Sequence, residues 1–388
     1  MNRYRMIART AGCLVGGLLL SASMIAQIDR SKAPAPGPAP AVHLGEHITF
    51  TLSNGMSVIV VENHKLPMVG VQLRFDIPPM VQADRTGYIE LMGELLAAGT
   101  PTRDKAAIDE AVDGMGASLF TSSDGLYANG LKKNLSPLME IISEVIVSPT
   151  FPEEELEKAR KRAISDVQQR QEDPSAIADV VGRVVTFGRN HPYGEVMTEK
   201  TLRKIDRGVM VGYHNKFFRP EKGYLVFVGD ITEKEARTLA KEHFGQWKPK
   251  PVSHVVNEDG TETIDGIGKV QPWKHVATPA GVRRVMIVDR PGSAQSIIRV
   301  GFPLNFQPKD LRALNAQVMN TILGGGVFNA RLMQNLREDK GWTYGRDRAW
   351  TPTVSMERST PTRACAPRSP IVPSPKPCSR SSGCGTSR

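Results

Sequence analysis

The order strand, strand, helix occurs twice in this chain, and that recurrence limits the possible folds more than any other feature. The first occurrence opens at His47. Ile48-Thr-Phe-Thr-Leu52 is β-type sequence, Ser53-Asn54-Gly55 supplies turn chemistry, and residues 56–61 return, which predicts a β-hairpin. A third strand follows over 69–75. After Pro78 and Pro79 the pattern predicts a helix over 86–98, stopped by Gly99. Further helices are predicted over 104–114, 136–147, 152–171 and 174–185, with strands over 118–122, 126–131 and 223–228. Such a chain is α+β: a two-layer arrangement with an antiparallel sheet and helices on one side. From Val285 the order returns, with strands over 285–288 and 297–302 and a helix over 310–323, the sign of an internal repeat. The first unit, from His47 to Trp247, has 201 residues, whereas residues 285–350 are only 66. The expected fold is therefore two homologous halves, the second incomplete.

Composition decides where these halves lie. The chain has 388 residues and a formal charge of +10, which invites a nucleic-acid reading until the charge is located. Arg3, Arg5 and Arg9 give the first 26 residues +3, and five Arg and one Lys against Glu357 give residues 351–388 +5. Only +2 is left for the body, so no nucleic-acid partner is expected. All four cysteines (Cys13, Cys365, Cys378 and Cys384) also lie in those end segments, which leaves the body without a disulfide, a Cys-ligated metal or a thiol nucleophile. Residues 1–26, with arginines ahead of an apolar run and small residues behind it, read as a secretory signal peptide, so the chain is expected to be exported, to the periplasm or beyond. That run is shorter than the about 20 residues a membrane span needs, and no stable span is expected.

The resulting division is a signal peptide (1–26), a Pro/Ala-rich linker (27–46), a first domain (47–250), a linker (251–284), a partial second domain (285–350) and a basic tail (351–388). With seven Pro and eight Ser among its 38 residues and no apolar periodicity, the tail is expected to be disordered. It is either a natural basic tail or an extension read out of frame. The abrupt loss of pattern inside an unfinished repeat motivates the second, and the reading frames of the source DNA decide between them.

A literal H-x-x-E-H stands at His43-Leu-Gly-Glu46-His47. On a helix its two histidines would share one face and could hold zinc, with the glutamate activating a bound water. The segment instead follows a Pro-rich linker and runs directly into β-type sequence, so His43 and His47 are read as a chance match at a strand entry.

The helix predicted over 86–98, inside Thr86-Gly-Tyr-Ile-Glu-Leu-Met-Gly-Glu-Leu-Leu-Ala-Ala-Gly-Thr100, resembles the zinc helix of the pitrilysin or insulinase-type metallopeptidase family. The family's frame is Gly-x-x-H-x-x-E-H-x-x-x-x-Gly-Thr. Alignment on Gly87 and Gly99-Thr100 puts Glu90 and Glu94 at the histidine ligands, Gly93 at the general-base glutamate, and Asp166 near the third ligand. All three helix positions depart. Three carboxylates suit a hard cation better than zinc, and Gly93 has no group to take a proton from water. A glycine inside a helix costs about 1 kcal/mol relative to alanine. Two carboxylates on a solvated helix face are the plain reading of Glu90 and Glu94.

The resemblance runs from about His47 to Tyr344. It includes Asn54-Gly55-Met56, His191-Pro-Tyr193-Gly194, Tyr213-His-Asn-Lys-Phe-Phe-Arg-Pro220, Val228-Gly-Asp230-Ile, and Leu323-Gly324-Gly325-Gly326 leading into Arg337 and Tyr344. It implies that Arg337 and Tyr344, seven residues apart, bind substrate and support the reaction from across the cavity. Their guanidinium and phenol can donate to peptide carbonyl oxygens, although an Arg on a helix surface paired with Glu338 or Asp339 is equally plain chemistry. No Lys-Ser/Thr follows Gly324 to Gly326, so the glycines read as a helix break that lets backbone approach a substrate rather than as a phosphate loop. Ser118-Leu-Phe120-Thr121 resembles the strand that pairs edge-on with substrate peptide in that family, with an interior strand as the alternative.

Two-chain members of the family divide their labour, one subunit holding zinc and the other contributing the Arg and Tyr. This chain resembles the second. The resemblance implies a non-catalytic, peptide-binding subunit of an exported heterodimer, needing no cofactor of its own, whose homologous H-x-x-E-H partner carries the zinc. The competing readings are an autonomous zinc metalloendopeptidase and an inactive structural or residual family member.

Overall fold

The computed structural model describes residues 46–365 except 259–260, 273–283, 294, 305–310, 326–328, 344–345 and 352–356. All of them lie in the unit Glu46–Arg388. The signal peptide, nearly all of the Pro/Ala-rich linker and most of the basic tail fall outside the described residues.

The first half is built from β1 (Ile48–Thr51), β2 (Ser57–Glu62), β3 (Met68–Phe75), β4 (Met80–Val81), α1 (Tyr88–Leu95), α2 (Lys105–Gly114), β5 (Ser118–Ser122) and β6 (Gly125–Leu131). It continues through α3 (Leu135–Val147), α4 (Glu153–Glu172), α5 (Pro174–Phe187), the single turn α6 (Glu199–Leu202), α7 (Arg207–Phe217), β7 (Gly223–Gly229) and α8 (Glu233–Phe244). The predicted hairpin is present, with Gly55 at φ +90° in its turn. Six strands form one sheet in the order β1-β2-β7-β3-β6-β5, which puts β5 on an edge. The expected antiparallel order holds except for the parallel pair β2 with β7, since β7 arrives after five helices and not through a hairpin.

Alternation along the strands separates the two faces of this sheet. Val58, Val60, Val71, Leu73, Phe75, Leu225 and Phe227 are buried against the helices. Met68, Tyr127, Tyr224 and Val228, exposed, line the opposite face. Helix α3 completes the core with Leu135, Leu138, Met139, Ile142, Val145 and Ile146, a stripe at helical spacing. Polar residues set the helix starts: Asp104 accepts from the Ala107 N–H at 2.8 Å, and Thr232 and Glu235 form a reciprocal capping box on α8.

Helices α7 and α8 occupy stretches for which the patterning predicts no helix. In α7 the segment Arg-Gly-Val-Met-Val-Gly-Tyr is poor in helix formers, and tertiary contact overrides propensity. His214 of α7 is buried, donates from Nε2 to the Ile146 carbonyl at 2.7 Å, and lies 4.9 Å from the Phe218 ring. Burial pushes its pKa down to about 4. Because the folded value lies below the ordinary 6.5, the neutral ring's contribution is complete above 6.5 and lost as pH falls through about 4. The shift corresponds to about 3 kcal/mol. We expect urea midpoints to fall over that window, and His214→Gln to flatten the fall.

Beyond Trp247 the structure departs from the pattern reading. Residues 251–284, expected to be a linker, contain β8 (His254–Val256), β9 (Glu262–Ile264) and β10 (Gly268–Pro272), which join β4 in a second sheet. Residues 285–288, expected to be a strand, are not one: Val285 and Ile287 are each 85% exposed, and among the described residues no strand pairs with them. The third sheet holds β11 (Ser296–Arg299) and β12 (Phe302–Leu304), preceding α9 (Leu311–Asn320) and the short α10 (Arg331–Met333). It also contains β13 (Arg346–Thr351) and β14 (Glu357–Cys365). Strand β14 lies within the segment expected to be disordered, because β11, β12 and β13 all offer it backbone partners. Among the described residues no helix is long and apolar enough to cross a membrane.

Candidate functional site

Helix α1 starts at Tyr88, later than predicted, because Gln82 and, through it, Glu195 set its first turn. Gly87 has φ +115°, and a Cβ there would stand 2.8 Å from the Met197 sulfur. The Gln82 side-chain oxygen accepts from the N–H groups of Gly87 at 3.0 Å and Ile89 at 3.1 Å, capping the helix from outside. Gln82 is itself held: its backbone N–H and that of Ala83, a non-glycine residue at φ +56°, donate to the Glu195 carboxylate at 2.9 and 2.6 Å. Burial raises the pKa of Glu195, and those two N–H groups pull it back. Sequence reasoning missed Glu195. Its signal was an acid directly after His191-Pro-Tyr-Gly194, a stretch that holds no other carboxylate.

Below this start, Tyr88, Leu91, Met92 and Leu95 face the core while Glu90 and Glu94 point away from it. Helix α4 packs alongside α1 and brings Asp166 to the same side. The three carboxylates share one cavity of about 540 Å³ with Arg162, Glu195 and an apolar wall of Ile177, Val180 and Val181 from α5. The structure thus unites Glu90, Glu94 and Asp166, 76 residues apart at the extremes. Arg162 ion-pairs with Glu94, so one of the carboxylates is already committed to a guanidinium.

These residues do not fit zinc. The cavity offers oxygen donors where zinc is bound mainly by nitrogen or sulfur, and a cation competes for one of them. Among the described residues no group of three or more His, Cys, Asp or Glu is placed to hold a metal ion. The base position is filled as well as vacated. A Cβ on Gly93 would lie 2.9 Å from the Ser123 nitrogen and 3.1 Å from the Ser122 carbonyl carbon. The turn after β5 therefore occupies the space a side chain at 93 would need.

Among the described residues β5 is an edge strand of its sheet and not an interior one. Phe120 is 63% exposed on it. Thr121 faces the other way and donates to the Gly93 carbonyl at 2.7 Å, so its hydroxyl serves α1. In the second half, Gly324 and Gly325 close a single π-type turn over Thr321–Gly325, with Gly324 buried. Arg337 sits in a similar turn, its Nε 3.6 Å from the Glu338 carboxylate. Gly326 and Tyr344 lie outside the described residues, as does His43. Glu46 and His47 are exposed and not helical, as a strand entry requires.

Comparison with known proteins bears on the family and the fold. The family model described as "Insulinase (Peptidase family M16)" matches residues 59–186, and that described as "Peptidase M16 inactive domain" matches residues 204–346. An uncharacterized zinc protease of Mycobacterium tuberculosis is 26% identical over 266 residues, covering 66% of this chain and 56% of its own length. The chain therefore spans little more than half of that curated relative. Among solved structures, the peptidase M16 inactive domain from Pseudomonas fluorescens superposes with a TM-score of 0.65 at 20% identity, covering 83% of this chain and 74% of that one. The first half of the periplasmic protease PqqL from Escherichia coli gives 0.55 at 17% identity, covering 84% and 70%. At such identities the likeness is one of fold. With the two family models matching nearly all of residues 59–346 between them, the chain belongs to the insulinase-type peptidases of family M16.

Proposed function

We propose that this chain is a non-catalytic, peptide-binding subunit of an exported, heterodimeric M16 peptidase. The observation that carries the reading is Gly93: the position of the family's general base has no side chain and is packed against the backbone of Ser122 and Ser123. Helix α1 is retained in place while its chemistry is not. Beside it β5 offers an edge unpaired among the described residues, to which an extended peptide can add as a further strand through main-chain hydrogen bonds, with little dependence on sequence. Arg337 and Tyr344 would donate to carbonyl oxygens of the bound peptide. The partner would be a homologous subunit with an intact H-x-x-E-H motif and its zinc. Export is supported by the character of residues 1–26 and by the periplasmic setting named for one structural relative.

Purification of the tagged full-length chain from its own cells tests the assembly. We expect an H-x-x-E-H relative to co-purify and peptide cleavage to follow the complex. Recovery of the chain without such a partner and without peptide binding would refute the proposal.

A further inference from the structure

Loss of a catalytic glutamate explains why position 93 need not be Glu. It does not explain why a helix tolerates glycine there, since alanine would also lack a base and would favour the helix by about 1 kcal/mol. The packing supplies a reason. The Ser122–Asp124 turn approaches α1 so closely that Ser123 N, Ser122 C and Ser122 Cα would all lie within 3.2 Å of a Cβ at 93. These are backbone atoms and cannot rotate away. Thr121 then fastens the end of β5 by donating to the Gly93 carbonyl.

The same turn is held from its other sides. The Tyr213 hydroxyl donates to the Ser123 carbonyl at 3.1 Å, and Tyr213 is itself buried with its ring 5.9 Å from that of Tyr88. The Phe75 N–H donates to the Asp124 carbonyl at 2.8 Å, and Arg74 pairs with the Asp124 carboxylate at 3.0 Å. Three elements thus fix where β5 ends, and α1 contributes to that fixing only because residue 93 has no side chain. Elsewhere a glycine at the end of a helix has no such duty: a Cβ on Gly114 of α2 would meet nothing within 4 Å.

We infer that Gly93 is a positioning residue for the peptide-binding edge: its bare backbone seats the β5–β6 turn against α1 and so holds β5 in the place where a peptide strand adds. The inference rests on the peptide-binding reading above. In this chain a glutamate at 93 would have to displace the turn from its seat on α1.

The test uses the full-length chain and an unstructured, fluorescently labelled peptide, with hydrogen exchange of the β5 amides measured in parallel. Gly93→Ala is expected to speed exchange over residues 118–122 and to weaken peptide binding about tenfold, a change equivalent to about 1.4 kcal/mol. Gly114→Ala should do neither. Thr121→Val, which keeps the shape and removes the one hydrogen bond, should act in the same direction by a few-fold and guards against Gly93→Ala failing to fold. The triple change E90H/G93E/E94H should not produce chelator-sensitive cleavage. Unchanged β5 exchange in both Gly93→Ala and Thr121→Val would overturn the inference, and so would cleavage by the triple variant. If the unaltered chain binds no peptide, the functional reading fails while the exchange measurement still decides the role of Gly93.

Discussion

Gly229→Ala is expected to abolish or strongly displace the cooperative unfolding transition. Gly229 ends β7 at φ +131°, a region that L-residues rarely adopt, and a Cβ there would lie 2.1 Å from the Met68 carbonyl oxygen. That oxygen already accepts the Asp230 N–H at 2.9 Å, and β7 is central, pairing with β2 on one side and β3 on the other. Relief of the clash requires β3 and β7 to separate. The cost should exceed about 4 kcal/mol, a large part of the 5–15 kcal/mol that typically stabilises a domain. Circular dichroism and urea titration should show a lost or strongly displaced transition. Gly114→Ala, where the new methyl group meets no atom, should stay within about 0.5 kcal/mol of the unaltered chain.

The second large effect lies in the core, at Phe75. Its ring is 1% exposed, 4.6 Å from Phe218 and 5.9 Å from Trp247, so it joins β3 to the segment after α7 and to the end of the first half. Phe75→Ala removes the ring and leaves a cavity that surrounding backbone cannot fill, which should cost about 3–5 kcal/mol. Tyr224→Ala removes a comparable ring from the open face of the same sheet, where Tyr224 is 47% exposed, and should cost far less. Equal losses for the two would contradict the assignment of inner and outer faces.

The parts of this structure legible in the sequence are those set by local chemistry. Ser53-Asn54-Gly55 announces its hairpin, Asp104 announces α2, and the apolar stripe of α3 is visible as spacing. What was not legible depends on residues far apart in the chain. The start of α1 is fixed by Gln82 and, through it, by Glu195, 113 positions away. The helical state of α7 is imposed on a glycine-containing, β-branched segment by burial of Val209, Met210, Tyr213 and Phe217. Helix α8 is a different case, because Thr232-x-x-Glu235 is a capping-box signature present in the sequence itself. Val285 to Val288 shows the converse: high β propensity makes no strand without a neighbouring edge to pair with.

The candidate site divides in the same way. The spacing shared with the insulinase-type frame singled out Glu90, Glu94 and Asp166, and all three line one cavity. The pairing of Glu94 with Arg162 and the reason for glycine at 93 were not legible, since each partner comes from a separate element. Sequence gives the identity of the missing base, and only packing shows what took its place.

We propose retained peptide binding without peptidase chemistry. Its most direct test follows one labelled, unstructured peptide with the purified full-length chain alone, with and without a zinc chelator, recording binding by fluorescence anisotropy and integrity by mass spectrometry. Saturable, chelator-insensitive binding of a peptide that stays intact is the predicted result. Chelator-sensitive cleavage by the chain alone, or no binding at all, would contradict it.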